Sequence, residues 1–276
     1  MLGAGKAGTT SLAALLRAHP GVFLPDLDEP GWLAWDPAAP RRWPADVPAD
    51  VPVRSREAWL ALYADAPEGV LLGDVSPQCL ESSIAPERIA RELPDAPLIV
   101  TLRDPADRAW SGYWMHRLAG WEKRPPEQAF GPQEHRVQAG YYARNLQPFG
   151  DDVLVLLLEE WSTDPGALLP LAQRLGLDPA GFPAQIPRSN RGGQASDPVA
   201  ATLLASPTAR ALGRRLPRPV AAVARSLKAR ALKPPPPMPP ELRRRLDGLY
   251  RDDVLALSER LGRRLPGWLR SLDGPT

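Results

Sequence analysis

Apolar residues occur along this chain in two kinds of run. Short unbroken runs read as strands buried on both faces. The clearest are Pro97-Leu98-Ile99-Val100-Thr101-Leu102 and Val153 to Leu158, with a shorter one, Val70-Leu71-Leu72, ending at Asp74. Between them, apolar positions fall three and four apart. Leu12, Leu15 and Leu16 predict a helix over 11–18 that Pro20 and Gly21 close. Further helices are predicted over 55–64, from Asp104 and Pro105 as N-cap and first residue to about Leu118, over 164–175 with Gly176 as the stop, and over 240–261. Residues 25–53, rich in proline and tryptophan and without periodicity, predict a long packed loop.

Strands alternating with helices predict an α/β fold with a doubly wound, P-loop-like parallel sheet flanked by helices and followed by a helical C-terminal region. The length of 276 residues suits a single domain over 1–276. Within it we expect a nucleotide-binding core over 1–197 and a helical extension over 198–276, with a proline-rich connector at 234–240. Between Val199 and Pro240 there are eight basic residues and no acidic one. A solvated helix face is the plain reading of that stretch, and peripheral contact of 208–233 with a membrane surface is the other.

Net charge is +2, so composition points to no nucleic-acid partner. The run Val153 to Leu158 has six residues, and no apolar run comes near the roughly 20 that a membrane span needs. A single cysteine, Cys79, leaves no internal disulfide framework and suits a reducing compartment, so a cytoplasmic location is expected. The acceptor and the oligomeric state are not written in the composition.

Chemistry enters with Gly3-Ala4-Gly5-Lys6-Ala7-Gly8-Thr9-Thr10-Ser11. A glycine-rich turn that opens a helix gathers unpaired N–H groups where the helix dipole is positive, and this binds phosphate. Gly3, Gly5 and Gly8 let the backbone approach an anion, Lys6 adds a full charge, and Thr9, Thr10 and Ser11 add hydroxyl donors. A nucleoside-triphosphate loop places lysine directly after its last glycine. Here Lys6 precedes Gly8, giving G-x-x-K-x-G-T-T. A second cluster is Arg103-Asp104-Pro105-Ala106-Asp107-Arg108-Ala109-Trp110-Ser111-Gly112-Tyr113. Arg103 ends a buried strand, where open α/β sheets bind ligands. Its fork of donors suits phosphate, and Ser111 follows about two helical turns later.

The first pattern resembles the 5′-phosphosulfate loop of sulfotransferases that use 3′-phosphoadenosine-5′-phosphosulfate (PAPS), and the second resembles their 3′-phosphate motif, R-[DN]-P-x-x-R-x-x-S-x-[YFW]. Leu72-Gly73-Asp74-Val75-Ser76-Pro77 is similar to the family's G-E-x-S-P segment, and Ser189-Asn190-Arg191-Gly192-Gly193 to a late loop that closes over the nucleotide. The segment from Leu242 to Trp268, with Tyr250, Asp253, Leu257, Leu261 and Leu265, is similar to its closing helix. The subgroup resembled is the bacterial and heparan-type carbohydrate sulfotransferases. The family has a strand of several apolar residues before its loop, and this sequence offers only Met1 and Leu2. The expectations are therefore that the sheet loses its central element and that the natural protein begins upstream.

The resemblance implies a PAPS-dependent sulfotransferase (EC 2.8.2 type) acting on a carbohydrate or small-molecule hydroxyl or amine, with 3′-phosphoadenosine-5′-phosphate (PAP) as product and no metal. Cofactor contacts are expected from Gly5 to Ser11, Arg103, Ser111, Arg191, Gly192 and Gly193. Lys6 is expected to neutralise the leaving phosphate. Glu29, in Leu24-Pro25-Asp26-Leu27-Asp28-Glu29-Pro30-Gly31-Trp32, is expected to be the general base, with Asp74 and then His116 as the other candidates. Cys79 reads as a small buried residue. Trp32, Trp35 and Trp43 read either as an acceptor platform or as the loop's own core. The competing function classes are a magnesium- and ATP-dependent small-molecule kinase and an inactive nucleotide-binding module.

Overall fold

The computed structural model describes residues 1–38, 53–183, 185, 194–195, 232–265 and 267–272. Strand β1 (Val22–Phe23) pairs in parallel with β2 (Leu71–Leu72), and β3 (Leu98–Leu102) pairs in parallel with β4 (Val153–Leu157). The principal helices are α1 (Thr9–Ala18), α2 (Arg56–Ala61), α3 (Ala85–Glu92), α4 (Pro105–Leu118), α5 (Tyr142–Leu146), α6 (Leu169–Leu175) and α7 (Pro240–Leu261).

Residues 1–4 join the two strand pairs. The amides of Leu2 and Ala4 donate to the carbonyls of Ile99 and Thr101 at 2.8 and 2.7 Å, and Thr101 donates back to Gly3 at 2.9 Å. On the other edge Ser76 donates to Met1 at 3.2 Å and Leu80 to Leu2 at 2.9 Å, while the Met1 amino group donates to the Asp74 carbonyl at 2.5 Å. The order across the layer is therefore β1, β2, residues 1–4, β3, β4. Residues 1–4 are not themselves a strand and the two pairs stand as separate two-stranded sheets, so the central element is reduced as expected, but backbone bonds on both edges hold the segment in place.

Both faces of β3 are covered, as its unbroken apolar run requires. Ile99 packs in one cluster with Leu12, Leu15 and Leu16 of α1 and with Trp161. Val100 and Leu102 belong to another, with Ala106 and Ala109 of α4 and Leu246, Tyr250 and Val254 of α7. Leu12, Leu15, Val100 and Leu102 have no solvent exposure, and burial of each such side chain contributes about 1.5–3 kcal/mol. A third cluster gathers Leu2, Trp32, Leu33, Trp59, Cys79 and Ile89. Trp32 stacks on Trp59 with ring centroids 4.8 Å apart, so Trp32 belongs to the loop's own core. Trp43 lies outside the described residues.

Helix α4 starts as its sequence dictates: the Asp104 carboxylate accepts from the Asp107 amide at 2.8 Å, and Pro105 occupies the first turn. Gly176 ends α6 in the left-handed region at φ 62°. The helix predicted over 164–175 is divided into a 3-10 turn at Pro165–Leu168 and α6, with Pro170 in the first turn of α6 where a missing N–H costs no bond. Helix α7 is tied to the start of α4 by buried Arg243, which bonds Asp104 at 2.5 Å, Asp107 at 3.1 Å and Asp247 at 2.7 Å. Asp253, on the same helix, accepts from the amides of Ala143 and Arg144, both at 3.0 Å, and so caps α5.

Candidate active site

The placement of the two principal helices sets the site. Helix α1 packs against Ile99 on one face of β3 and α4 beside Val100 and Leu102 on the other, and the crevice expected of an open α/β sheet lies between their starts, at the carboxyl ends of the strands. Ligands of open α/β sheets bind at such a switch point.

The glycine loop fills the near side of that crevice. Gly8 is the N-cap of α1 at φ 87°. A Cβ there would come within 2.6 Å of Leu158 and 2.7 Å of Trp161, so glycine is demanded by conformation and by space together. At Gly5 an added Cβ would meet nothing within 4 Å, so this glycine faces open space. Thr101 braces the loop from beneath: its hydroxyl donates to the Ala7 carbonyl at 2.9 Å and accepts from the Trp161 indole at 3.0 Å. Lys6 has φ 71°, a left-handed conformation that a residue with a side chain adopts only under constraint. Thr9 and Ser11 are buried at the start of α1, and Thr10 is half-buried.

The second cluster forms the far side. Arg103 is half-buried at the end of β3, and its carbonyl accepts from the Tyr142 hydroxyl at 2.8 Å. Ser111 is half-buried on α4. The next residue, Gly112, is buried, and a Cβ built on it would lie 4.0 Å from Lys6 Cγ. The Lys6 stem therefore lies near α4 at Gly112, the residue after Ser111, which brings the two predicted clusters close. Arg108, in the same cluster, is buried and donates to the Arg136 carbonyl, so it serves the core.

Glu29 lies beside the loop, at φ 54°. It lines a cleft of about 140 Å³ together with Thr9, Thr10, Leu24, Asp28 and Val75. Its side chain reaches solvent at the cleft mouth. The protein packed around it, and then neighbouring Asp28, push its carboxyl above the usual carboxylate range, while Lys6 and a hydrogen bond from Gln78 act the other way. Arg17, further along α1, bonds Asp28 at 3.3 Å.

Asp74, the second candidate base, is engaged elsewhere. Its carboxylate accepts from Ser76 at 2.6 Å and from the Trp59 indole at 2.8 Å. Ser76 in turn accepts from the Gly31 amide at 3.0 Å, so Asp74 anchors the loop that carries Glu29. His116 is buried on α4, and its imidazole is pushed down to about 4 by burial and then by Arg136. It is therefore neutral near pH 7 and lies outside the lining of the cleft. Cys79 is buried, and burial followed by Asp74 raises its thiol well above the ordinary range. Arg191, Gly192 and Gly193 lie outside the described residues, as does the basic segment 208–231. Among the described residues no His, Cys, Asp and Glu side chains cluster in threes as metal ligands would, and no helix is long and apolar enough to cross a membrane.

Sequence reasoning missed Gln78, which bonds Glu29, and Arg243, which ties α7 to Asp104. Both act on residues far away in the chain, 49 and 139 positions distant.

Comparison with known proteins agrees with this arrangement. No curated protein matches the sequence. The fold is similar to that of a sulfotransferase from Alicyclobacillus acidocaldarius, with a TM-score of 0.71 and 21% identity over 97% of this chain and 96% of that one. The sequence profile of the sulfotransferase family matches residues 1–156, which include the glycine loop, Glu29 and the Arg103 cluster. The chain belongs to the sulfotransferase family.

Proposed function

We propose that this protein transfers a sulfuryl group from PAPS to a hydroxyl or amine of a carbohydrate or small-molecule acceptor. The observation that carries the reading is the approach of Lys6 to α4, where a Cβ built on Gly112 would lie 4.0 Å from the lysine Cγ. It joins a loop shaped for a 5′-phosphosulfate to a strand end and helix suited to a 3′-phosphate. PAPS has both groups, and ATP lacks the second.

In this reading the loop amides and the start of α1 bind the 5′-phosphate, with the open face of Gly5 admitting it closely. Arg103 and Ser111 hold the 3′-phosphate. The acceptor enters the cleft between Thr9, Thr10 and Glu29. Its oxygen or nitrogen forms a bond to sulfur as the bond from sulfur to the 5′-phosphate oxygen breaks in line. Glu29 takes the acceptor proton, and Lys6 neutralises the charge that develops on the departing phosphate. A carboxylate with its pKa raised is the better proton acceptor when ionised. The single cysteine is buried and unpaired, which suits a reducing compartment, and we assign the reaction to the cytoplasm.

The test is a panel of sugars, amino sugars, phenols and aliphatic alcohols incubated with PAPS and read by mass spectrometry. A sulfuryl mass increment on at least one class, with equimolar PAP release and loss of both in Glu29→Gln, is the expected result. Transfer that survives Glu29→Gln at the wild-type rate removes Glu29 from the mechanism.

A further inference from the structure

We infer that Gln78 is a positioning residue for Glu29, aiming its carboxylate through a hydrogen bond from the neighbouring 3-10 turn. The inference rests on the proposed reading of Glu29 as the base and adds to it a group that neither sequence motif includes.

Gln78 Nε2 donates to Glu29 Oε2 at 3.3 Å. Gln78 stands in the 3-10 turn Pro77–Glu81, between buried Pro77 and buried Cys79. This turn is fastened to the central segment on both sides of Gln78, through the bonds from Ser76 to Met1 and from Leu80 to Leu2. The donor is therefore mounted on a fixed support. Its target is not: Glu29 lies in an irregular loop with its backbone at φ 54°, a conformation that contacts impose rather than local preference. Two contacts from one short segment hold that loop. Ser76 accepts from the Gly31 amide, and Gln78 binds the Glu29 carboxylate.

The other end of the amide separates a functional role from a packing one. Gln78 Oε1 is buried and has no partner among the described residues. Turning the amide over would set that oxygen against a Glu29 carboxylate oxygen, acceptor to acceptor, and give up the bond from Nε2, so the orientation is fixed by Glu29. A buried carbonyl without a partner is destabilising, and a leucine of similar size would avoid it. Retaining glutamine gives up stability for a donor aimed at one carboxylate. The charged groups facing Glu29 complete the balance. Asp28 beside it opposes ionisation, and Lys6 favours it, as the Gln78 amide does. Arg17 on α1 is engaged by Asp28 and by the Pro25 carbonyl.

The experiment compares wild-type enzyme with Gln78→Leu and Glu29→Gln, measuring melting temperature, PAP affinity and kcat/KM from pH 5 to pH 9. Gln78→Leu is expected to melt no lower than wild type and to bind PAP equally. Its acid limb should move to higher pH, with kcat/KM on that limb about tenfold lower, the size of one lost bond to a charged group. If Gln78→Leu does not fold, Gln78→Met carries the same measurement. An unmoved acid limb in the leucine or methionine variant, with Glu29→Gln inactive, overturns the inference and leaves the base assignment intact. Full activity of Glu29→Gln overturns both.

Discussion

Lys6 lies over α4 at Gly112: a Cβ built on the glycine would meet the lysine Cγ at 4.0 Å and nothing nearer. A methyl group fits there, and a bulkier side chain is expected to press on Lys6. Gly112→Ala should keep turnover within about threefold and gain about 0.5–1 kcal/mol of stability, since alanine is the better helix former. Gly112→Val should displace Lys6 and reduce kcat at least tenfold, because small misplacements of a positioned group are costly. Steady-state rates and thermal melts of the two variants check this. Equal kcat in both would show that the contact does not position Lys6.

Replacing Lys6 by glycine separates strain from chemistry. At φ 71° glycine is the relaxed residue, so Lys6→Gly should melt as high as wild type or higher. Its kcat should fall by about 10²–10³-fold, the usual effect of removing one stabiliser of transition-state charge. A rate within threefold of wild type would take Lys6 out of the chemistry.

Two glycines in one loop should behave in opposite ways. Gly8→Ala sets a methyl 2.6 Å from Leu158 and 2.7 Å from Trp161 at a left-handed position, and should cost about 2–4 kcal/mol of stability. Gly5→Ala meets nothing in the protein, so its melting temperature should hold while PAP affinity falls about tenfold or more. Denaturant unfolding and calorimetry would resolve the pair. Undiminished affinity in Gly5→Ala would mean that the anion does not approach that face.

The acid side of the pH profile reports Glu29. The carboxyl must be ionised to accept a proton, and the protein around it and Asp28 raise its pKa. The acid limb of kcat/KM should therefore fall above the ordinary carboxylate range and move higher still when Lys6 is neutralised in Lys6→Met. His116, already neutral above about 4, contributes nothing to a limb in that region. A limb unchanged in Lys6→Met would show that the two charges do not interact.

What the sequence made legible was local. Gly8 and Lys6 signal their conformations through their order, Asp104-Pro105 announces the start of α4, and Gly176 the end of α6. Strand β1 and helices α3 and α5 escaped notice for physical reasons. Strand β1 has only two residues, too few to show alternation. Helix α3 buries only Ala85 and Ile89, and α5 only Tyr142 and Leu146, too few positions to establish a period. The central segment was legible only in part: Met1 and Leu2 look too short for a strand, yet the bonds that hold residues 1–4 come from Ile99, Thr101, Ser76 and Leu80. The site's supports are of the same kind. Gln78 reaches Glu29, Ser76 reaches Gly31 and Arg243 reaches Asp104 through contacts that exist only once the chain has folded. Glu29 itself was placed by resemblance, and its neighbourhood to Lys6 became visible only in three dimensions.

The central claim is that the crevice binds a nucleotide by its 5′ and 3′ ends together. Calorimetric titration of PAP, adenosine 5′-monophosphate and ATP with Mg²⁺ into wild type and Arg103→Ala tests it most directly. The account predicts that wild type binds PAP at least about tenfold more tightly than either other nucleotide, and that Arg103→Ala erases most of this preference. Tighter binding of ATP with Mg²⁺ than of PAP, or a preference for PAP untouched in Arg103→Ala, would contradict it.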